Sequence, residues 1–361
     1  MLYLVWVNMM KKIKKTFMQE ELLYWYDHEY IILPWREDKD PYKIWVSEIM
    51  LQQTRVEAVI PFFERFIKRL PTIKDLARVE EDELMKLWQG LGYYRRVKNM
   101  QIAAKQLLED FDGVMPKSTK ELMQLKGIGE YTAGAISSIA FDQVAPAVDG
   151  NILRIFARLF GVKEDIRSSK TRKELTNIYT PYIPSHRPGD FNQALMDLGR
   201  KICTPSKNPK CEECPLSSHC IAYQHDLQET VPFLSKKKAR KKQQITVLIF
   251  IKNQKVWIRK RPVTGLLSSL YEYTTIDNHL DENDIINNYS LNDVIINRLP
   301  DSKHIFTHIE WDIKAYLINT KLSKVDDVGF YVDIEELKTT YSIPTAFKTY
   351  TNWLLKKDRK F

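Results

Sequence analysis

Between about 17 and 223, apolar side chains recur every three or four positions, the period of one face of an α-helix. The spacing predicts helices over 20–30, 42–53, 56–70, 81–87, 95–108, 118–125, 131–140, 152–160, 169–178 and 191–201. Helix-stopping and helix-starting residues punctuate them: Pro34, Pro41, Pro61, Pro71, Gly90, Gly92, Pro116 with Ser118, Gly161, and Pro188-Gly189 before Asp190. This part of the chain is expected to be all-α. Further on the pattern becomes that of strands, rich in β-branched and aromatic residues, at 245–251, 255–261 and 312–318. With helical text at 333–337 and 346–357, a small α+β domain is expected there. No internal repeat is apparent.

Length turns the two patterns into two domains, because 361 residues exceed the roughly 250–300 at which a single core stops growing. Between them, 236–242 carries six positive charges and no helical stripe, which reads either as a linker lying along phosphates or as a solvated hinge. The expected divisions are an N-terminal extension at 1–16, a helical domain at 17–228, a basic linker at 229–243 and the α+β domain at 244–361. A formal charge of +9 admits a polyanionic partner without requiring one. The early apolar run at 2–7 falls far short of the roughly 20 residues that span a bilayer and lacks a signal-peptide layout, so a cytoplasmic protein is expected, with no membrane partner. Met9, Met10 and Met18 leave the true start open.

The chain's four cysteines, Cys203, Cys211, Cys214 and Cys220, are clustered. In a reducing compartment such clustering favours a metal or iron–sulfur site over disulfides. Spacing alone leaves zinc and a four-iron cluster open, with His219 able to replace one sulfur in a zinc site. Pro205, Pro209 and Pro215 make the segment a loop that its metal would fold.

Two stretches carry chemistry. In LKGIGEYTAGA (125–135), the turn Gly127-Ile128-Gly129 leaves backbone N–H groups uncovered in front of an apolar helix, which suits a phosphate. The bland reading is a helix-turn-helix packing element. In VDGN (148–151), Asp149 stands where the next helix begins, whose free N–H groups and dipole favour the charged carboxylate. Glu48, among Ile44, Trp45, Ile49 and Leu51, is pushed toward its neutral form if buried. One acid and one anion suit cleavage of a glycosidic bond. Alternatively, Asp149 is only a helix cap and Glu48 only a helix-surface residue.

The combination LPWR (33–36), SEIMLQQT (47–54), GLGYYRR (90–96), LKGIGEYTAGA, AVDGN (147–151), FNQALMDLG (191–199) and the four-cysteine loop resembles adenine DNA glycosylases of the MutY family. The resemblance implies an all-α helix-hairpin-helix DNA glycosylase fold with a [4Fe–4S] cluster held by Cys203, Cys211, Cys214 and Cys220, plus an α+β Nudix-like C-terminal domain. It implies a monomeric enzyme that removes adenine mispaired with 8-oxoguanine or guanine in double-stranded DNA. Glu48 would protonate N7 of the flipped adenine and Asp149 would face the developing cation, with Tyr131 and Asn151 positioning Asp149 and the intermediate. Arg36, Gln193 and Leu51 would line the adenine pocket, and Gln53 and Tyr93 would wedge into the duplex. Lys126, Gly127, Ile128 and Gly129 would form the phosphate-binding hairpin, with a monovalent cation bridging carbonyls to phosphate. Phe306, Thr307 and His308 match the family's 8-oxoguanine recognition loop, with threonine in place of serine.

The same fold serves bifunctional enzymes of the endonuclease III type, which need an amine nucleophile. That family carries a lysine where this chain has Tyr131, which favours a monofunctional glycosylase. A non-catalytic DNA-binding relative would not need Glu48 and Asp149 together. The catalytic Nudix box is absent after Tyr273. Two departures from the family pattern stand out: seven residues separate Cys203 from Cys211, one more than usual, and Tyr271-Glu272-Tyr273-Thr274 replaces the usual Trp-Glu-Phe-Pro.

Overall fold

A computed structural model describes residues 15–236, 239–292 and 294–356. The N-terminal extension, apart from its last two residues, Lys237 and Lys238 of the basic run, and Lys357 of the expected last helix lie outside the described residues. The chain divides into one compact unit within Met1–Arg78 and Lys98–Lys236 and a second within Val79–Val97 and Lys237–Phe361.

The helical text folds as helices. They are α1 (Lys15–His28), α2 (Pro41–Leu51), α3 (Val56–Arg69), α4 (Ile73–Arg78), α5 (Glu81–Leu87), α6 (Arg95–Asp110), α7 (Thr119–Leu122), α8 (Glu130–Phe141), α9 (Gly150–Phe160), α10 (Ser169–Tyr179), α11 (Pro188–Lys201) and α12 (Ile221–Gln224). Of these, α4 and α12 are additions to the sequence reading: each is too short to show a helical period. Pro61, expected as a boundary, lies inside α3. It falls early in the helix, where its missing N–H costs one hydrogen bond, and the helix continues through it. The expected helix at 118–125 shrinks to α7, capped by the Ser118 side chain.

In the first unit α2 packs on α8, and α11 packs on α1, α8 and α9. Phe156 of α9 meets Tyr179 edge-on at 4.9 Å, and Phe191 and Leu195 of α11 complete a buried cluster around them. The loop leading from α8 to α9 is held from below. Asn192, fully buried, accepts from Ala147 N at 3.1 Å and donates to Ser138 Oγ and Ala145 O. Gly134 permits the close approach: a Cβ there would stand 2.0 Å from Pro146 O.

The second unit is built on a seven-stranded sheet ordered β3-β2-β1-β6-β5, with β4 also on β1 and β7 also on β2. Its strands are β1 (Lys241–Lys252), β2 (Lys255–Lys260), β3 (Tyr271–Glu272), β4 (Thr274–Asp277), β5 (Ile295–Ile305), β6 (Ile309–Asn319) and β7 (Gly329–Asp333). The helices α13 (Glu282–Tyr289), α14 (Glu336–Thr339) and α15 (Lys348–Leu354) complete it. In β1, which runs parallel to β6, Ile245, Val247, Ile249 and Ile251 enter one apolar cluster with Phe347 and Tyr350. Leu248 and Phe250 enter another, on the opposite face, with Ile285 and Ile318. Burial on both faces explains why 245–251 reads as an unbroken apolar run.

Three expectations are revised here. Lys241 and Lys242 belong to β1, not to a linker. At 333–337, Asp333 ends β7 and the helix is α14, two or three residues later. The 295–305 segment, unassigned from sequence, is β5: it pairs with β6 on one side only, and Pro300 sits at a register break between Leu299 and Ser302. An edge strand tolerates proline and polar side chains, so its text is not strand-like.

Substituting Gly134→Ala is expected to destabilise the protein by about 1 to 3 kcal/mol, the usual cost of overpacking a tight contact. Urea unfolding of the two proteins measures it; equal midpoints would mean that the 145–148 loop is not held against α8.

Candidate active site

The site is built from four local structures of the first unit: α2 with its partner α8, the start of α9, the turn Pro34–Arg36, and α11. Asp40 caps α2 by accepting from Tyr42 N, Pro41 starts the helix, and near its other end the helix carries Glu48 into the interior, where it is 6% exposed. From α8, Tyr131 donates its hydroxyl hydrogen to Glu48 Oε2. Burial pushes the Glu48 carboxyl up to about 7; the Tyr131 hydrogen bond and the Arg36 charge pull it down, and the Asp149 charge adds to the rise. Burial and the neighbouring Glu48 and Asp149 charges hold the Tyr131 hydroxyl well above its ordinary range, so it stays a donor.

Asp149 caps α9. Its Oδ1 accepts from Asn151 N and Ile152 N, both at 2.8 Å, and its Oδ2 accepts from Asn151 Nδ2 at 2.7 Å. The helix start favours its charged form, as expected, but burial outweighs it. Burial raises the Asp149 carboxyl above its ordinary value, and the cap hydrogen bonds and the nearby Arg154 oppose that rise without cancelling it. Arg154 in turn donates to Asn151 Oδ1 at 2.9 Å and to Cys203 O at 2.7 Å.

The third and fourth structures are the short turn Pro34–Arg36 and α11. Arg36 forks onto Asp197, Nη1 to Oδ2 at 2.7 Å and Nη2 to Oδ1 at 3.3 Å, with both side chains buried. Tyr26 of α1 donates to Gln193 Oε1 at 2.6 Å, which leaves the Gln193 amide N–H groups as its free end. Together these elements enclose a cleft of about 440 Å³, within the range of small-molecule sites. Arg36, Glu48, Leu51, Tyr131, Asp149, Asn151 and Gln193 all line it.

Sequence reasoning did not single out Tyr26, Asp197 or Arg154. Asp197 follows Gln193 by four positions on one helix face, and Arg154 follows Asn151 by three, so spacing could have found both. Tyr26 meets Gln193 from 167 residues away, and no local pattern announces that.

The remaining expected residues lie outside the cleft lining. At the hairpin, Ile128 is buried, while Lys126, Gly127 and Gly129 are exposed. Gly127 has φ +82°, Lys126 N donates to Gln106 Oε1 at 2.8 Å, and Gly129 opens α8 without a side-chain cap. Gln53 has φ 60° and is exposed just past α2. In the second unit, Tyr93 (φ 49°) is exposed, with its hydroxyl 3.3 Å from Thr307 Oγ1. Non-glycine residues with positive φ are uncommon and often functional. Phe306 packs edge-on against His304 and Trp311, and Thr307 and His308 are exposed.

The four cysteines carry free thiols on a loop of short turns, and their charges act on one another. Burial raises the thiols of Cys214, to about 12, and Cys220, to about 11; buried thiols at that level become thiolates only beside strong positive charge. Arg158 donates to Cys203 Sγ at 3.4 Å and to backbone carbonyls of Thr204, Ser206, Gln228 and Val231, fixing the loop to α9. His219 is 3.0 Å from Glu21, engaged away from the sulfurs. Among the described residues no group of three or more His, Cys, Asp or Glu is gathered tightly enough for one metal ion. Four sulfur donors on one loop suit either zinc or an iron–sulfur cluster.

Residues 46–181 match the family model of the HhH-GPD superfamily base excision DNA repair protein, and residues 246–353 match that of a NUDIX domain. An adenine DNA glycosylase of Buchnera aphidicola subsp. Schizaphis graminum is 37% identical over 317 residues, which is 86% of this chain and 90% of that one. The human adenine DNA glycosylase is 42% identical over 223 residues, covering 59% of this chain and 41% of its own length. Among solved structures, a thermostable thymine-DNA glycosylase is 28% identical, with a TM-score of 0.53, over 58% of this chain and 97% of that one. A trapped endonuclease III–DNA covalent intermediate, 24% identical with a TM-score of 0.50, shares the fold over 58% of this chain and 95% of its own.

The carboxyl of Glu48 is expected to titrate near 7, neutral below and ionised above, where ordinary glutamates titrate near 4.5. Because its folded value lies above the unfolded one, stability is lost as pH rises from about 4.5 through about 7. Tyr131→Phe removes a hydrogen bond that favours the charged form and should move the titration upward. Carbon-13 detection of the side-chain carboxyl would follow both; an ordinary value in the wild type would mean the group is solvated.

Proposed function

The chain belongs to the adenine DNA glycosylase family, and on that premise we propose that it acts on adenine mispaired with 8-oxoguanine or guanine in duplex DNA. Removal of adenine in base excision repair is the family's activity and this chain's. The observation that carries the mechanism is the buried Glu48 carboxyl, held by Tyr131 and poised near neutrality, in one cleft with Asp149.

A base in a duplex is out of reach, so the adenine leaves the stack and enters the cleft. Protonated Glu48 donates to N7 of the purine, which turns adenine into a better leaving group as the glycosidic bond breaks. Asp149, fixed through both oxygens, faces the positive charge that develops on the sugar and guides the attacking water. Arg36, Gln193 and Leu51 form the adenine pocket: Asp197 fixes the guanidinium, and Tyr26 turns the Gln193 amide N–H groups toward acceptors on the base. Tyr131 and Asn151 position the two carboxyls. No lysine is among the side chains that line the cleft. That favours hydrolysis without a lyase step, since a Schiff base needs an amine.

Lys126 to Gly129 take a phosphate of the DNA backbone on backbone N–H groups, and the hairpin carbonyls would hold a monovalent cation, which would supply positive charge for the phosphate. Gln53 and Tyr93 fill the space the adenine vacates. Phe306 anchors a recognition loop on Trp311, which presents Thr307 and His308 to 8-oxoguanine. Cys203, Cys211, Cys214 and Cys220 would hold a [4Fe–4S] cluster, which would tie the loop together when bound. Among the described residues no helix is long and apolar enough to cross a membrane. We place a monomer in the cytoplasm, associated with the nucleoid through DNA, where reduced thiolates are available.

Glu48→Gln is expected to lower single-turnover excision from a duplex holding adenine opposite 8-oxoguanine by about 10³-fold, the range lost with a general acid, while DNA binding persists. The wild-type rate should fall as pH rises through about 7. Alkali cleavage of the product strand reads both; near-normal excision by the variant refutes the proton donor. Purified protein should also carry iron and sulfide in the ratio of the cluster's formula, and Cys214→Ser should lose them. Zinc in their place would overturn the cluster assignment.

A further inference from the structure

One wall of the cleft carries charge that the adenine pocket does not use. Arg200, in the last turn of α11, lines the cleft beside Arg55 and Glu57 at the start of α3. Its Nη1 donates to Glu57 Oε1 at 3.1 Å, and its Nη2 stands 3.6 Å from Asp197 Oδ1, too far for a hydrogen bond. Both Nε and Nη2 are buried without a hydrogen-bond acceptor. A guanidinium has five donors and no means of losing its charge, so buried N–H groups left unpaired cost free energy until an anion meets them. Asp197, whose two oxygens each accept from Arg36, is an ion-pair partner of Arg200 at 3.6 Å but stands beyond hydrogen-bond distance of its Nη2, so it leaves that donor unfilled. Glu57 supplies only one contact, from a side chain 73% exposed, and an exposed ion pair of that kind is worth little. Arg55 is exposed and its side chain takes part in no ion pair among the described residues.

We propose that Arg200 and Arg55 form a phosphate clamp on this wall of the cleft, taking the phosphodiester next to the extruded nucleotide, with Glu57 holding Arg200 until DNA displaces it. The inference rests on the base-extrusion reading above and names a site for it. A base that enters the cleft draws its own deoxyribose and phosphate to the entrance, where a diester oxygen and the planar guanidinium are matched in shape and charge. The carboxylate of Glu57 is a stand-in of the same chemistry. A phosphate reaching Arg200 completes the donors that the free protein leaves unpaired.

The test uses the full chain and two duplexes of equal length, one with adenine opposite 8-oxoguanine and one fully paired, with dissociation constants measured across potassium chloride concentration. Arg200→Gln should weaken binding of the mispaired duplex by at least about tenfold and reduce the magnitude of its salt slope by about 0.9, the value of one neutralised phosphate. Arg55→Gln, which disturbs no ion pair, should act in the same direction, and Glu57→Gln should tighten binding. The fully paired duplex, whose bases stay stacked, should be affected less. Unchanged affinity and slope in both arginine variants, or equal losses on the two duplexes, overturn the clamp. If the wild type releases no adenine, the extrusion reading falls and the clamp with it; an active wild type beside unaffected arginine variants removes the clamp alone. Melting temperatures of all variants guard against misfolding as the cause.

Discussion

The exclusion of water from one carboxyl organises this molecule. Glu48 sits on a helix whose other side chains are almost all apolar, and packing α2 against α8 removes it from solvent. Burying a charge is costly, so the group meets that cost by keeping its proton to higher pH. The consequence is an acid that still holds a proton near neutrality. The Tyr131 hydroxyl sets the limit of the effect, because its hydrogen bond favours the ionised form and draws the carboxyl back into a useful range. Without that bond the acid would hold its proton more firmly.

The second carboxyl solves the opposite problem with the same materials. Asp149 is largely buried as well, yet three N–H donors and Arg154 restrain its rise. Its place is fixed by a loop that Asn192 and Gly134 hold against α8 and α11, so the position of this carboxyl depends on contacts outside the cleft. A carboxylate bonded through both oxygens cannot turn away from the centre it faces. Division of labour between two acids thus comes from packing and capping, not from residue type.

Much of this was legible in the sequence. The helical half showed its period because each helix buries one face, and β1 showed as an apolar run because the sheet is covered on both sides. The site residues were legible because they sit beside punctuation: Asp149 at a helix start, the hairpin at paired glycines, Glu48 in an apolar stretch. What stayed hidden has physical reasons. β5 is an edge strand whose side chains satisfy solvent, so it carries no apolar alternation. Lys241 and Lys242 pair with Ile309 and Glu310 through backbone groups, which charge does not prevent. The net direction at Asp149 stayed unread because helix-start chemistry is local and readable, whereas burial depends on elements distant in the chain.

Arg36 shows how the pieces constrain one another. A bare guanidinium in the same cleft as Glu48 would stabilise the carboxylate and strip the acid of its proton. Asp197 neutralises it with a forked pair, so Arg36 keeps its donors and its position with much of its field compensated. Burial therefore remains the largest influence on Glu48, ahead of Tyr131 and Arg36. Arg200 lies 3.6 Å from the same carboxylate, near enough for an ion pair but too far for a hydrogen bond, so two of its donors stay unfilled. A compensated guanidinium beside Glu48 and unfilled guanidinium donors on the neighbouring wall are then two outcomes of one arrangement: a single aspartate shared unequally between two arginines.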